Sequence, residues 1–195
     1  VATIIKREKA RSQRVMYVDS GDIFQGAPIF NFFDGEVEIL AQGELGPDAV
    51  VVGNHEFDRG ADNYARQLAN WSSYPNLAAN YDFRESSQPW NNDLEDLIEP
   101  WTIVEKDGLT IGVIGIGDLH SLTPIAEADN SLDVDATGGL RTVEHYGAIL
   151  APTVDLLVVV SHSALRSDVA LARDSAYPDG IPGGPLHPAI DPPPP

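Results

Sequence analysis

The chain contains no cysteine among its 195 residues. This absence excludes disulfide bonds, zinc fingers, iron–sulfur clusters and thiol nucleophiles. The sequence also has no apolar run long enough to span a bilayer and no visible secretory signal pattern. Its length predicts about one domain with a core of its own.

Basic residues are scarce, with 12 Lys and Arg against 30 Asp and Glu, which gives a formal net charge of −18. Such a surface repels phosphate backbones and anionic membranes, so we expect neither a nucleic-acid polymer nor an anionic membrane as a partner. An anionic small molecule would be repelled too, unless its site contains something cationic.

Short apolar runs alternate with helical patterns along most of the chain. The pattern predicts strands at 15–18, 49–52, 76–80 and 156–160, and helices at 37–45, 62–71, 140–150 and 164–173. Residues 102–105 and 109–116, joined by Asp107-Gly108, predict a β-hairpin. We expect 82–100 to be an irregular surface loop and the Pro/Gly-rich residues 178–195 to be an irregular tail. This order is typical of an α/β fold with a largely parallel sheet covered on both faces.

Polar residues follow three of the apolar runs directly. Asp22 follows the first run, Asn54 and His55 follow the second, and His162 follows the last. Ligands of α/β sheets collect beyond the carboxyl ends of the strands, and Asp22 and Asn54 are separated by about one βαβ unit. A carboxylate, an amide oxygen and an imidazole suit borderline or hard divalent metals, so these residues are candidate metal ligands.

His55 and Asp58 are three positions apart, so a helix or tight turn would let the carboxylate face the imidazole. A carboxylate partner fixes the tautomer of a histidine and favours its protonated form. The pair could therefore act as a general acid on a leaving-group oxygen. Structural interpretations stay open on the residues alone: Asp22 as a turn residue, Asn54-His55 as a helix cap, and His162 as a core histidine.

Two motifs carry a family resemblance: GDIFQG at 21–26 and GNHEFD at 53–58. With residues 78–81 and 159–162, they resemble the calcineurin-like metallophosphoesterases and, within them, the 5′-nucleotidase family. The resemblance implies a four-layer α/β/β/α sandwich over residues 1–177 that lacks its first strand.

The resemblance also implies roles for single residues. Asp22 would bridge two divalent metals (Zn, Mn, Fe, Co or Mg), and Asn54 and His162 would bind the second metal. His55 would be the catalytic histidine, paired with Asp58. His187 takes the place of the last metal-binding histidine in the family's C-terminal motif. The implied activity is hydrolysis of a small-molecule phosphate ester, with a nucleotide as the leading substrate, in a periplasmic or extracellular protein.

The chain departs from the family pattern in two places. The Asp-x-His motif of the first strand is absent, and Pro185 stands where the family has a histidine. We therefore expect a fragment of reduced activity from a protein with a further C-terminal substrate domain. The alternatives are a non-catalytic metal- or nucleotide-binding module, a 2′,3′-cyclic-nucleotide phosphodiesterase, a UDP-sugar hydrolase and a thiosulfohydrolase.

Overall fold

The computed structural model describes residues 1–83, 89–117, 135–136 and 138–180. The helices in these ranges are α1 (Ala2–Arg11), α2 (Phe30–Phe33), α3 (Glu36–Leu45), α4 (Ala61–Trp71), α5 (Pro89–Leu97), α6 (Gly139–Leu150) and α7 (Leu165–Asp174). The strands are β1 (Val18–Asp19), β2 (Ala49–Val51), β3 (Asn76–Leu77), β4 (Tyr81–Asp82), β5 (Trp101–Lys106), β6 (Leu109–Ile116), β7 (Asp135–Ala136) and β8 (Leu156–Ser161). Short 3₁₀ helices cover His55–Phe57 and Ala151–Thr153.

The described strands form two three-stranded sheets and one two-stranded pair. The first sheet is parallel and has the order β1-β2-β3. The second has the order β5-β6-β8, with β5 and β6 antiparallel and β6 and β8 parallel. Asp107 and Gly108 both have positive φ (49° and 78°), which is the backbone that a tight hairpin turn requires. The predicted hairpin is therefore confirmed.

Three apolar clusters separate the layers of the fold. The first lies between the first sheet and helices α3 to α5, and includes Ile39, Val50, Val52, Leu68 and Leu94. The second lies between the two sheets, and includes Val51, Leu77, Val113 and Val160. The third lies between the second sheet and helices α6 and α7, and includes Ile114, Val143, Leu157 and Leu171. This arrangement confirms the predicted α/β/β/α sandwich; a further strand ahead of Val1 stays a prediction.

The strand β2 and the residue after it show why the sequence reads as continuous apolar runs. Val50 and Val52 face the helices, whereas Ala49 and Val51 face the other sheet. Both faces of the strand are buried, so no polar residue alternates along it. The carboxyl end of such a strand is the first place where polar side chains can appear.

The expectation of an irregular loop over 82–100 is wrong for its described part. Residues Pro89–Leu97 form α5, which packs on α4. Leu94 is completely buried and Ile98 nearly so. Two or three apolar residues among many polar ones give a weak periodic signal, and the packing against α4 supplies the stabilisation that the local sequence lacks.

The backbone continues in contact with the second sheet beyond Tyr177. The N–H of Asp179 donates to the carbonyl oxygen of Leu157 (2.7 Å), and Gly180 forms a parallel bridge with Val158. The division into 1–177 and a tail over 178–195 stays a prediction. Residues 181–195, which include His187, lie outside the described residues.

Candidate functional site

The carboxyl ends of β1, β2 and β8 bring the predicted residues together. Parallel pairing aligns Asp19 with Val50, so the segments that follow β1 and β2 leave the sheet side by side. Asp22 and Asn54 come from these segments of the first sheet. His162 comes directly after β8 of the second sheet. The site therefore joins two sheets, whereas the apolar pattern predicts the strand ends of one largely parallel sheet.

Asp22 is held in an uncommon backbone conformation, with φ of 61°. Its Oδ1 accepts a hydrogen bond from the backbone N–H of His55 (2.9 Å), and its Oδ2 lies 3.2 Å from Nε2 of His162. Residues other than glycine rarely adopt a positive φ, and those that do are often found at functional sites. Here the conformation directs the carboxylate toward the ends of the two neighbouring segments.

His162 is buried and its ring is fixed on both sides. Its Nδ1 lies 2.6 Å from the carbonyl oxygen of Ser20, so this nitrogen carries a proton and donates it. Its Nε2 lies 2.9 Å from Oδ1 of Asn54 and 3.2 Å from Oδ2 of Asp22. The backbone N–H of His162 donates to the carbonyl oxygen of Ile116 (2.8 Å), which anchors the residue to β6.

Burial and the mutual contact set the charges of Asp22 and His162. Burial by itself would raise the pKa of Asp22, but the hydrogen bonds from His162 and from the His55 backbone outweigh it and hold that pKa below its ordinary value. Burial would likewise lower the pKa of His162, but the contact with Asp22 holds it above its ordinary value. Both shifts favour a carboxylate facing an imidazolium when the site contains only protein atoms.

Three ligand-type atoms converge at this point: Oδ2 of Asp22, Oδ1 of Asn54 and Nε2 of His162. Nε2 can face two oxygen acceptors only as a protonated donor, whereas a divalent cation would accept electron pairs from all three atoms. The Nδ1–H bond to Ser20 is the outer contact that metal-binding histidines usually make. The donor set therefore fits a divalent metal.

Within the described ranges, no group of three His, Cys, Asp or Glu side chains could hold a metal ion. The convergence at Asp22, Asn54 and His162 is consistent with this, because one of its three donors is an amide. The other predicted ligand, His187, lies outside the described residues.

Glu56 is a site residue whose position the sequence reasoning missed. It is 2% exposed, and its two oxygens accept the backbone N–H groups of Asp22 (3.1 Å) and Ile23 (2.7 Å). Burial, followed by the nearby Asp22 carboxylate, raises the pKa of Glu56 to about 7. The sequence offers one sign of this role, which is an acidic residue placed next to the apolar Phe57. The backbone groups that Glu56 binds lie more than thirty residues away, so the sequence does not show them.

Glycine is required where the segments after β1 and β2 meet. A Cβ on Gly21 would lie 2.5 Å from both the backbone nitrogen of Gly53 and the carbonyl oxygen of Val51. A Cβ on Gly53 would lie 2.4 Å from Oδ1 of Asp22 and 2.6 Å from Oε2 of Glu56. The two backbones pack against each other directly, which brings Asp22 within reach of its partners.

The predicted contact between His55 and Asp58 is confirmed. Both lie at the 3₁₀ turn after β2, and Nδ1 of His55 lies 2.9 Å from Oδ2 of Asp58. The His55 side chain is 42% exposed, whereas that of Asp58 is 7% exposed. A buried carboxylate thus orients an imidazole that solvent or a ligand can reach. The catalytic role of the pair stays a prediction.

The comparisons with known proteins agree with this geometry. The family model described as calcineurin-like phosphoesterase matches residues 1–181. A 5′-nucleotidase-related protein of Glossina morsitans morsitans is 30% identical over 96% of this chain and 33% of its own length. A snake venom 5′-nucleotidase of Crotalus adamanteus is 27% identical over 94% of this chain and 30% of its own length.

A solved structure agrees as well: the 5′-nucleotidase precursor from Thermus thermophilus has a TM-score of 0.82 and 27% identity, covering 94% of this chain and 34% of that one. The chain thus spans about a third of the length of the relatives it matches. The family match extends through both sheets and the strand ends that carry Asp22, Asn54 and His162. On this evidence, the chain belongs to the calcineurin-like phosphoesterase family.

Proposed function

We propose that this chain is the metal-binding part of an enzyme that hydrolyses the phosphate ester of a nucleotide. The observation that carries the proposal is the convergence of Asp22, Asn54 and His162 beside the His55–Asp58 pair. Members of the family generally use divalent metal ions, and 5′-nucleotidases are among the relatives. These relatives support a nucleotide as the substrate.

Asp22, Asn54 and His162 would hold the metal, and His187 is proposed as a further ligand on the family resemblance alone. Bound divalent ions, two in this proposal, supply an activated water and a local positive field for the phosphoryl group. Ser20 keeps the proton of His162 on Nδ1, which leaves Nε2 for the metal. The carboxylate of Asp22, held by the backbone of His55, has the chemistry to bridge two ions.

His55 is proposed as the general acid. Its Nδ1–H donates to Asp58, so Nε2 is the nitrogen from which a proton can pass to the leaving-group oxygen of the substrate. Asp58 is buried, and its carboxylate orients the ring of His55 through this hydrogen bond. The exposure of His55 allows a substrate to reach the ring.

Several features of the whole protein are proposals of the same kind. A C-terminal domain would supply most of the substrate contacts, since the relatives are about three times as long as this chain. The 195-residue chain by itself would have reduced activity.

A periplasmic or extracellular location is proposed because venom 5′-nucleotidases are among the relatives. Within the described residues, no helix has the length and apolarity to cross a membrane.

The test measures metal content and AMP hydrolysis on this chain and on a form extended to the relatives' length. We expect the extended form to bind metal and to release phosphate, and His55→Ala to lower the rate about 10²–10⁴-fold while metal stays bound. Asp58→Asn should lower the rate in the same assay, because a neutral amide is a weaker acceptor for the Nδ1–H of His55 and orients the ring less strictly.

His145→Ala is the matched control, since His145 is an exposed histidine on α6. Its rate should equal that of the unmodified enzyme. An extended form that binds no metal and releases no phosphate would refute the proposed function and leave a non-catalytic module in its place. An unchanged rate in His55→Ala would remove His55 from the mechanism.

A further inference from the structure

We infer that Asn80 is a positioning residue that sets His162 against its partners from outside the candidate site. Asn80 lies just beyond β3 and is 5% exposed. Its Nδ2 donates to the carbonyl oxygen of Gly117 (2.9 Å), and its Oδ1 accepts the N–H of the same residue (2.8 Å). One side chain thus satisfies both backbone groups of Gly117, as a neighbouring strand would.

The contact with Gly117 fastens the two sheets together at the end that carries the site. Next to it, the backbone N–H of Ala79 donates to the carbonyl oxygen of Gly115 (2.7 Å). Residues 79 and 80 follow the first sheet, whereas residues 115 and 116 end β6 of the second and Gly117 follows it. A Cβ on Gly117 would lie 2.5 Å from the ring of Tyr81, and one on Gly115 would lie 2.9 Å from the carbonyl carbon and oxygen of Leu77, so the two segments are in close contact here.

The end of β6 is held on its other side by His162. Ile116 precedes Gly117, and its carbonyl oxygen accepts the backbone N–H of His162 (2.8 Å). The path from Asn80 to His162 therefore runs through the Ile116–Gly117 backbone, and a hydrogen bond makes the link at each end. A shift of the β6 end relative to the first sheet would carry His162 with it.

The position of His162 relative to the first sheet is what the site depends on. Its Nε2 must meet Asn54 and Asp22, which come from the first sheet, while its own backbone belongs to the second. The distances involved are 2.9 and 3.2 Å, so a displacement of about 1 Å would break the convergence. Asn80 holds the end of β6 against the first sheet on one side, and His162 is bonded to the other side of the same strand end.

Asn76 provides a matched control at the other end of the same strand. It is also 5% exposed, and its Nδ2 donates to Oγ of Ser72 (2.8 Å) and to the carbonyl oxygen of Tyr74 (3.0 Å). These partners belong to its own segment. Asn76→Ala therefore removes a buried amide of the same kind without releasing β6.

The experiment compares unmodified chain, Asn80→Ala and Asn76→Ala in two measurements. The first is amide hydrogen exchange of the metal-free protein, referred to the global stability of each variant. We expect exchange at His162 and Gly117 to be at least about tenfold faster in Asn80→Ala, and close to the unmodified rate in Asn76→Ala. Equal exchange at His162 in the two variants would overturn the inference.

The second measurement is calorimetric titration with Mn²⁺, and this part rests on the proposed function. We expect Asn80→Ala to bind about 10–100-fold more weakly and Asn76→Ala to bind as the unmodified chain does. A metal affinity that Asn80→Ala leaves unchanged would also overturn the inference. If the unmodified chain binds no metal, the proposed function fails at this site, while the exchange rates still decide the role of Asn80.

A second variant keeps the test valid if Asn80→Ala does not fold. Asn80→Asp retains an acceptor for the N–H of Gly117 but loses the donor to its carbonyl oxygen. Exchange at His162 should then be faster than in the unmodified chain. An unchanged rate in this folded variant would contradict the inference by itself.

Discussion

Nε2 of His162 lies 2.9 Å from Oδ1 of Asn54, although the two residues are 108 positions apart. Each follows a buried strand, and the two strands belong to different sheets. The contact exists because the sandwich brings the carboxyl ends of β2 and β8 to the same edge. The relationship makes the folded structure, rather than any local segment, the unit that could bind a metal.

Metal binding should stabilise the fold through His162. A ligand that binds only the folded state at about 100 times its Kd adds about 2.7 kcal/mol to the free energy of unfolding. We expect Mn²⁺ to raise the Tm of the unmodified chain and EDTA to reverse the change. His162→Ala should show no rise, whereas His145→Ala should respond normally. An equal rise in His162→Ala would show that the metal binds elsewhere.

Gly21 and Gly26 form a natural pair for a second prediction. Their φ values are 91° and 87°, but a Cβ on Gly26 would meet nothing within 4 Å, whereas one on Gly21 would collide with Gly53 and Val51. Gly26→Ala should cost only the backbone strain of about 1–2 kcal/mol. Gly21→Ala should cost more and should weaken Mn²⁺ binding. Urea unfolding and titration measure both, and equal losses would contradict the close-packing argument.

Glu56 should make the metal-free fold sensitive to pH. Its pKa is about 7 in the folded state against an ordinary 4.5, so the folded state holds this proton more tightly than the unfolded chain. This contribution to stability is complete below about pH 4.5 and is lost as the pH rises to about 7.

The measurement for Glu56 is urea unfolding in EDTA across this pH range, with Glu56→Gln as the comparison. The glutamine does not titrate. As the pH rises, the free energy of unfolding of Glu56→Gln should therefore increase relative to that of the unmodified chain. Asp22 and His162 titrate in both proteins, so the difference between the two reports Glu56 together with its interaction with these two groups. A difference that stays constant with pH would rule out the buried carboxyl as its source.

Leu94 tests the helix that the sequence did not predict. It is completely buried where α5 packs on α4, while its neighbour Glu95 is exposed. Leu94→Ala should lower the free energy of unfolding by about 2–5 kcal/mol, as loss of a buried leucine usually does. Glu95→Ala should change it by less than about 0.5 kcal/mol. If both variants were equally stable, residues 89–97 would be the surface loop that the sequence suggests.

Much of the site could be predicted because its residues mark the ends of apolar runs. Asn54 and His162 each follow a strand that is buried at its carboxyl end, and Asp22 follows a half-buried one. His55 and Asp58 are near enough in sequence to meet in one turn. The roles of Glu56 and Asn80 could not be predicted in this way. Both act on backbone groups of distant segments, and a backbone N–H or carbonyl has no residue type that a sequence could display.

The sequence by itself determined the alternation of strands and helices, the hairpin at Asp107-Gly108 and the residues at the strand ends. These follow from local preferences and from the periodicity of apolar side chains. The tertiary structure alone decided that α5 is a helix, that Glu56 holds the Asp22 turn, and that Asn80 joins the two sheets. The physical reason is that burial and hydrogen bonding between distant segments supply the stabilisation at these positions, and those contacts exist only in the folded chain.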